Sequence, residues 1–377
     1  MTSHANPHAR SRPERRAKQI WHLDVVRDLR AKILDGTFAP GQQLPTYHEL
    51  EQQFGGTPRT IARALAVLQE HGFVRTEKRR GIFVEDQLPH RSHFALVIAR
   101  RQDDPHLSQF QRALANEARN FEDPERRITA FYGVADHTAS EDYQQLAALV
   151  RSHRLAGLIF AQAVHEVEGL PPMEEPGIPR VVIASDSGRP DVPVVCPGPG
   201  TFLPKALDYL AARGRKRVAL IRLADDCPWP PPEVDEFMAG VAERGMTTRR
   251  CWVQSVSQLA PQRGNETAQL LMFAPPEERP DALIIRDDNL VEHATAGLVE
   301  AGVRVGQDID VVAHANFPWV TRSATPVCRL GYDIHQLFET CIDRLDTLRR
   351  GQQVTRVTYL PAYFEDELAV PSVAVET

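Results

Sequence analysis

The 377-residue sequence predicts an α/β protein in two parts: an N-terminal α+β winged helix–turn–helix, then a larger two-lobed body built on parallel sheets. Three observations predict it. Residues 25–85 carry a helix, a helix–turn–helix and a two-stranded ribbon, in that order. From residue 93 apolar runs alternate with helical periods in two successive sets, the pattern of βαβ units wound into two halves. Charge divides the same way. Residues 1–86 hold 14 Lys/Arg against 10 Asp/Glu, although the whole chain has a net charge of −6. A basic head on an acidic body suits a chain whose head meets nucleic acid and whose body must not adhere to it.

In the head, Val25, Val26, Leu29, Ile33 and Leu34 recur at helical spacing, and Gly36 stands where a C-cap belongs. Pro40-Gly41 marks a turn. Thr46 caps a short second helix through about Phe54, with Glu49 completing a capping box, and Gly55-Gly56 ends it. Thr57 caps a third helix whose first position is Pro58, where the missing N–H costs nothing. This helix turns Ile61, Leu65 and Leu68 inward and Arg59, Thr60 and Arg63 to another face, and Gly72 ends it. Phe73-Val74-Arg75 and Ile82-Phe83-Val84 form a ribbon around the basic tip Glu77–Gly81. In such a module the third helix enters the major groove, and wing arginines reach phosphate or the minor groove. The expected domains are a disordered basic tail over 1–18, the DNA-binding head over 19–86, a linker over 87–92 and the body over 93–377.

The head resembles the N-terminal domain of the GntR family of bacterial transcription regulators. The resemblance rests on Leu29-Arg30, Ile33, Gly36, Pro40-Gly41, Leu44-Pro45, Glu49-Leu50, Phe54-Gly55, Thr60-Ile61, Ala64-Leu65, Leu68, Gly72 and Gly81, in that order. It implies DNA contacts from Thr46, Tyr47, His48, Thr57, Arg59, Thr60 and Arg63, and from Arg79, Arg80 and Gly81 on the wing. Gly81 is expected to supply a backbone angle more than a contact. His48, Pro58 and Ala62 stand where the family often has arginine, and Arg59 and Arg63 are each displaced by one residue. Groove geometry therefore carries over and the operator sequence does not.

Composition is that of an ordinary globular protein, with 42% hydrophobic and 25% charged residues. Cys196, Cys227, Cys251, Cys328 and Cys341 are dispersed without metal spacing, which fits reduced thiols in a cytoplasmic protein. No apolar run reaches membrane-span length, and no signal peptide is evident, so neither membrane nor export is expected. No nucleophile elbow, phosphate loop or dinucleotide fingerprint occurs, and no cofactor is expected. His165-Glu166-Val167-Glu168 lacks a second histidine at metal spacing and reads as a surface loop. An enzyme body of the pyridoxal type would need a Schiff-base lysine context, and beyond Lys78 the chain has only Lys205 and Lys216.

In the body, strands are expected at 94–99, 128–132, 157–161, 180–184, 217–221, 251–254, 282–285 and 310–314. Helices are expected at 108–120, 140–152, 204–212, 232–244, 264–273, 290–301 and 334–350. Ligands of such folds bind at the C-terminal ends of the strands. From 93 to about 368 the chain resembles the effector domain of the LacI/GalR family, which is periplasmic-binding-protein-like. The stretch that carries this best is Pro280-Asp281-Ala282-Leu283-Ile284-Ile285 through Asp288, then Leu298, Gly302-Val303-Arg304-Val305 and Asp308-Ile309-Asp310-Val311-Val312. A GntR-type head on a LacI-type body resembles bacterial regulators of the arabinose-repressor type.

The resemblance implies a ligand cleft, with Asp288 at a family position as a fixed hydrogen-bond acceptor. Asp104, His106, Arg222, Asn316 and Phe317, read at strand ends, and Trp229, in a proline-rich loop, complete the expected ligand set. Departures gather here: Asp104-Pro105-His106-Leu107 replaces the usual first loop, Cys196-Pro197-Gly198 an Asp-Asn pair, and Glu233 an arginine. The expected function is a transcriptional regulator, a repressor by preference, that binds operator DNA as a homodimer and answers to a sugar-like small molecule. The alternative is a regulator whose degenerate cleft has lost its ligand and obeys a protein partner.

Overall fold

The computed structural model describes residues 14–136, 140–224 and 232–368. They divide into two compact units. One runs to His93 and takes in Ala148–Ala156; the other comprises Phe94–Ala147 and the chain from Gly157 onward.

The first unit opens on α1 (Glu14–Leu34), followed by α2 (Tyr47–Phe54), α3 (Pro58–Glu70) and the antiparallel ribbon β1 (Val74–Glu77) and β2 (Gly81–Val84). The helix starts at Glu14, earlier than the tail expected over 1–18. Ala17-Lys18-Gln19 are good helix formers and extend it; residues 1–13 lie outside the described residues. Thr46 accepts from Glu49 N–H while Glu49 accepts from Thr46 N–H, so the capping box is closed both ways. Gly55 ends α2 in the left-handed region at φ +68°, where a side chain would be strained. Val25, Leu29, Ile33, Leu50, Ile61, Leu65, Leu68, Phe73, Ile82 and Val84 form one core. The segment expected as a linker is structured: it forms α4 (Pro89–Ser92), with Leu88 and His90 buried and the His90 ring stacked on Phe73 at 5.8 Å.

The second unit makes up the body but for His93, at the start of the body's first strand, and Ala148–Ala156, which includes the end of its second helix. The body's elements are β3 (His93–Val97), α5 (Gln109–Asn120), β4 (Arg127–Phe131), α6 (Glu141–Arg151), β5 (Gly157–Phe160), α7 (Pro171–Glu174), β6 (Arg180–Ile183), β7 (Val194–Pro197), α8 (Pro199–Ala212) and β8 (Val218–Leu223). There follow α9 (Pro232–Glu243), β9 (Val253–Val256), α10 (Arg263–Met272), β10 (Ala282–Ile285), α11 (Asp288–Glu300), β11 (Asp310–Phe317), β12 (Cys328–Asp333), α12 (Ile334–Arg349), β13 (Val357–Leu360), β14 (Tyr363–Phe364) and α13 (Glu365–Leu368). His165–Glu168, expected as a surface loop, overlaps a 3-10 turn at Val164–Val167 in which both valines are buried.

Among the described residues two six-stranded sheets result in the body, in the orders β13-β7-β6-β5-β3-β4 and β14-β12-β11-β10-β8-β9. Their central pairs are parallel, and β14 pairs antiparallel with β12 at the edge. Both central strands β5 and β10 are buried along their whole length, as continuous apolar runs require between two helical layers. The chain passes between the lobes three times, at β7 to α8, β12 to α12 and β13 to β14. These passes are tied together. Gly198 N–H donates to Leu360 O at 2.8 Å, the Tyr332 hydroxyl donates to Gly198 O at 2.9 Å, and Ala362 N–H donates to Thr201 Oγ1 at 2.8 Å.

Candidate DNA-reading face and ligand cleft

On the head, α3 buries one face and leaves Arg59 and Arg63 exposed. Neither arginine makes a hydrogen bond or ion pair among the described residues, and the same holds for Lys78 and Arg79 on the wing. Four cations thus keep their full donor capacity. Tyr47 is exposed, and His48 Nε2 lies 3.0 Å from Gln52 Nε2. Thr46 and Thr57 are spent on capping: Thr57 Oγ1 accepts from Thr60 N–H at 3.4 Å and meets Thr60 Oγ1 at 2.9 Å. Arg80 is held by Glu77 at 2.5 Å and lies 5.5 Å from the Phe83 ring centre. The tip turns through Arg79 at φ +66° and Gly81 at φ +121°, and Gln43 Nε2 ties the wing down by donating to Arg80 O at 2.8 Å.

In the body, a cleft of about 330 Å³ opens where β6, β7, β10, β11 and β12 end, closed on one side by Phe110 of α5. Its polar lining is Ser185, Arg286, Asp287, Asp288, His314 and Asn316; Ile183, Ala184, Cys196, Pro197 and Tyr332 add apolar wall. Asn316 is fully buried and donates through Nδ2 to Asp288 Oδ2 at 2.5 Å, while its own Oδ1 has no partner among the described residues. Burial, and then the neighbouring Asp287 charge, push the Asp288 carboxyl well above the usual carboxylate range. Asp287 caps α11, accepting from Asn289 N–H at 2.9 Å.

Arg286 stands 4.5 Å above the Phe202 ring, and its Nε lies 2.8 Å from Glu233 Oε1, a charge contact without the alignment of a hydrogen bond. The second Glu233 oxygen accepts from Arg222 Nε at 2.9 Å. His314 sits two residues before Asn316 on β11, so strand alternation puts both on one face. Burial, with Arg286 adding to it, drives the His314 imidazole down to about 3, which keeps the ring neutral; its Nδ1 is buried without a partner among the described residues. The cleft therefore offers one free amide oxygen, one free imidazole nitrogen, a pinned guanidinium and a carboxyl that burial keeps protonated more readily than usual.

Of the residues expected at the ligand, Asp288 and Asn316 meet in this cleft. Arg222 lies one layer behind it, buttressing Glu233. Asp104 and His106 are not in its lining: Asp104 accepts from His106 N–H at 2.8 Å and pairs with Arg100 at 3.2 Å, so it shapes its own turn. Phe317 is buried at the end of β11 and is not in the lining either. Trp229 lies outside the described residues. Sequence reasoning missed Phe110, Arg286, His314 and Tyr332. A signal existed for two of them: Arg286 directly follows an apolar strand, and His314 precedes Asn316 by one strand period.

Residues 22–84 match the model of bacterial regulatory proteins of the gntR family, and residues 207–363 match that of the periplasmic binding protein-like domain. The chain joins a gntR-family DNA-binding head to a periplasmic-binding-protein-like body. It is 22% identical to the arabinose metabolism transcriptional repressor of Geobacillus stearothermophilus, over 80% of this chain and 83% of that one. It is 22% identical to the HTH-type transcriptional repressor PurR of Erwinia tasmaniensis, over 83% and 94% of the two chains. Among solved structures, a LacI-family regulatory protein of Chloroflexus aggregans matches with a TM-score of 0.55 at 17% identity, over 74% of this chain and 97% of that one. A ribose operon repressor assigned in Burkholderia thailandensis matches with a TM-score of 0.52 at 19% identity, over 73% and 99%. These likenesses establish the fold of the body. Among the described residues no helix is long and apolar enough to cross a membrane.

Proposed function

We propose that this protein is a cytoplasmic, ligand-responsive transcriptional repressor that binds operator DNA as a homodimer. The observation that carries it is the capped helix α3, presenting Arg59 and Arg63 exposed and unspent beside a wing whose Lys78 and Arg79 are unspent too. Such cations on a recognition helix and a wing fit base edges and phosphates. Two-fold operators need two heads. Exposed Leu270, Phe273 and Val299, on or just past the outer turns of α10 and α11, support pairing with a second copy. A sugar-like effector is supported by an arabinose metabolism repressor among the relatives and by a cleft of monosaccharide size. A ligand that turns a 1:99 equilibrium into 99:1 must favour one state by about 5.5 kcal/mol.

A second reading is favoured by one specific observation: Asn316 Nδ2 and Asp288 Oδ2 are already bonded to each other. On that reading the cleft answers to a protein partner. The experiment for both is a gel shift of the purified protein on its own upstream DNA at fixed salt, with and without a panel of pentoses and hexoses. A shift released by one sugar supports the first reading, and a shift no sugar alters supports the second. No shift at low salt on any DNA would sink the reading of the head.

A further inference from the structure

We propose that Glu117 is a clasp between the two lobes, which passes the state of the cleft edge on to the crossover helix α12. The proposal rests on the cleft being the regulatory site. Helix α5 of the first lobe touches the second lobe at both ends. At its start, Gln109 N–H donates to Asn289 Oδ1 at 2.9 Å, and Phe110 lines the cleft. About two turns on, roughly 12 Å along the helix axis, the Glu117 side chain is buried. Its Oε2 accepts from Trp319 Nε1 at 2.8 Å, and its Oε1 lies 2.9 Å from His335 Nδ1.

The two partners come from different elements. Trp319 follows β11, the second-lobe strand that carries His314 and Asn316. His335 stands in the first turn of α12, directly after the chain passes from β12 back to the first lobe. A buried carboxylate is costly unless both oxygens are answered. Here the answers lie on both sides of a lobe boundary, so separation of the lobes must strip at least one of them. A rigid helix carries a displacement of Phe110 to Glu117 with little loss.

His335 sets the strength of the clasp. The charged groups that face its ring are all carboxylates: Glu117 from α5, Glu339 at 3.5 Å from its own helix, and Asp333, which accepts from His335 N–H at 2.9 Å. Phe121, just past α5, stacks on the ring at 5.5 Å, and the segment after β11 contributes the Trp319 indole. Burial opposes the imidazolium, but the bond to Glu117 and the charge of Glu339 outweigh it and raise the ring above its ordinary value. The charged form of the clasp is complete below that ordinary value, about 6.5. It weakens as pH rises through the raised one.

The test uses the full protein without DNA or effector, so its failure is distinct from failure of the repressor reading. The protein is labelled with 5-fluorotryptophan, and the Trp319 resonance is assigned through Trp319→Phe. Expected is a Trp319 signal that titrates with a midpoint above about 6.5, a titration lost in His335→Gln, and a displaced signal in Glu117→Ala. Backbone deuterium uptake is then compared between wild type, Glu117→Ala and the gentler Glu117→Gln, which keeps an acceptor for Trp319. Expected is a loss of protection at the cleft edge, in peptides spanning 109–112 and 287–292, strongest in Glu117→Ala and present in Glu117→Gln. Uptake changes confined to 115–121 and 317–321, or a Trp319 signal indifferent to His335, would overturn the proposal.

Discussion

The head and the cleft solve the problem of recognition in opposite ways. On the head, the groups suited to contact are exposed cations with no bond to any of the described residues: Arg59, Arg63, Lys78 and Arg79. In the cleft the polar groups are buried and mostly bound to one another, as in Asp288 with Asn316 and in the chain Arg222–Glu233–Arg286. Solvent explains the difference. A surface arginine waiting for phosphate is satisfied by water, whereas a buried carboxyl or amide must find a protein partner when the site is empty. On the proposed reading a ligand in the cleft would exchange some existing bonds beside those it makes to Asn316 Oδ1 and His314 Nδ1, while DNA on the head would add new ones only. Substitutions on the head should strike binding and spare stability; those in the cleft should strike both.

The largest effect that sharpens this contrast is expected from Arg59→Ala with Arg63→Ala. Each base or phosphate contact is worth about 1–3 kcal/mol. The double variant should bind its operator about 100-fold more weakly, with a thermal midpoint unchanged. Gel-shift titration beside a melting curve checks both. A destabilised double variant would break the contrast at the head.

Next comes Asn316→Leu. It leaves the Asp288 carboxyl buried without its donor, at a cost of about 1–3 kcal/mol. Urea unfolding of the body should show that loss while operator affinity without effector stays as it was. Unchanged stability would mean that the cleft groups are as idle as those of the wing. Arg79→Ala is expected to weaken every DNA sequence alike and to reduce the slope of log affinity against log salt by about one phosphate contact.

A smaller effect is legible through pH. His314 titrates near 3 when folded and near 6.5 when unfolded. Between those values the unfolded chain takes a proton that the folded one refuses. Its contribution is thus whole above about 6.5 and falls as pH drops toward 3. Asp288, raised by burial, acts the other way: the folded state holds a proton above the ordinary carboxylate value, so stability is lost as pH rises through that window. Denaturant midpoints across pH should show a shallower acid loss in His314→Gln. Smallest of all, Arg80→Ala removes an exposed pair with Glu77 and should change stability by less than about 1 kcal/mol.

The head was readable almost residue by residue because its signals are local. Thr46 with Glu49, and Thr57 with Pro58, cap their helices within four residues of chain. The cleft was readable only in part, since its lining comes from the ends of five strands and the starts of two helices, α5 and α11. Two of those strands were hidden. The short β7 is flanked by Pro193 and closed by Pro197, which reads against a strand. In β12, Cys-Arg-Leu-Gly-Tyr-Asp mixes polar, small and apolar residues without a clear period. Tyr332 lies on β12, and so escaped. The packing of Leu88 and His90 into the head escaped for a different reason: a short polar stretch with one proline looks like a linker until its neighbours are known.

The three passes between the lobes bear on how the protein is made. The helices and ribbon of the head are all made by Val84, and its compact unit is complete once Ala148–Ala156 has been added. The first lobe cannot finish, because α12 and β13 belong to it and β13 ends at Leu360. At about 5–20 residues per second, roughly 270 residues of synthesis separate β3 from β13, or on the order of 15–50 seconds. From Pro197 to Leu360 a nascent chain carries the elements of the head together with a sheet whose edge at β7 is open. Newly made protein is thus exposed to aggregation through this edge and can touch DNA before it can sense anything.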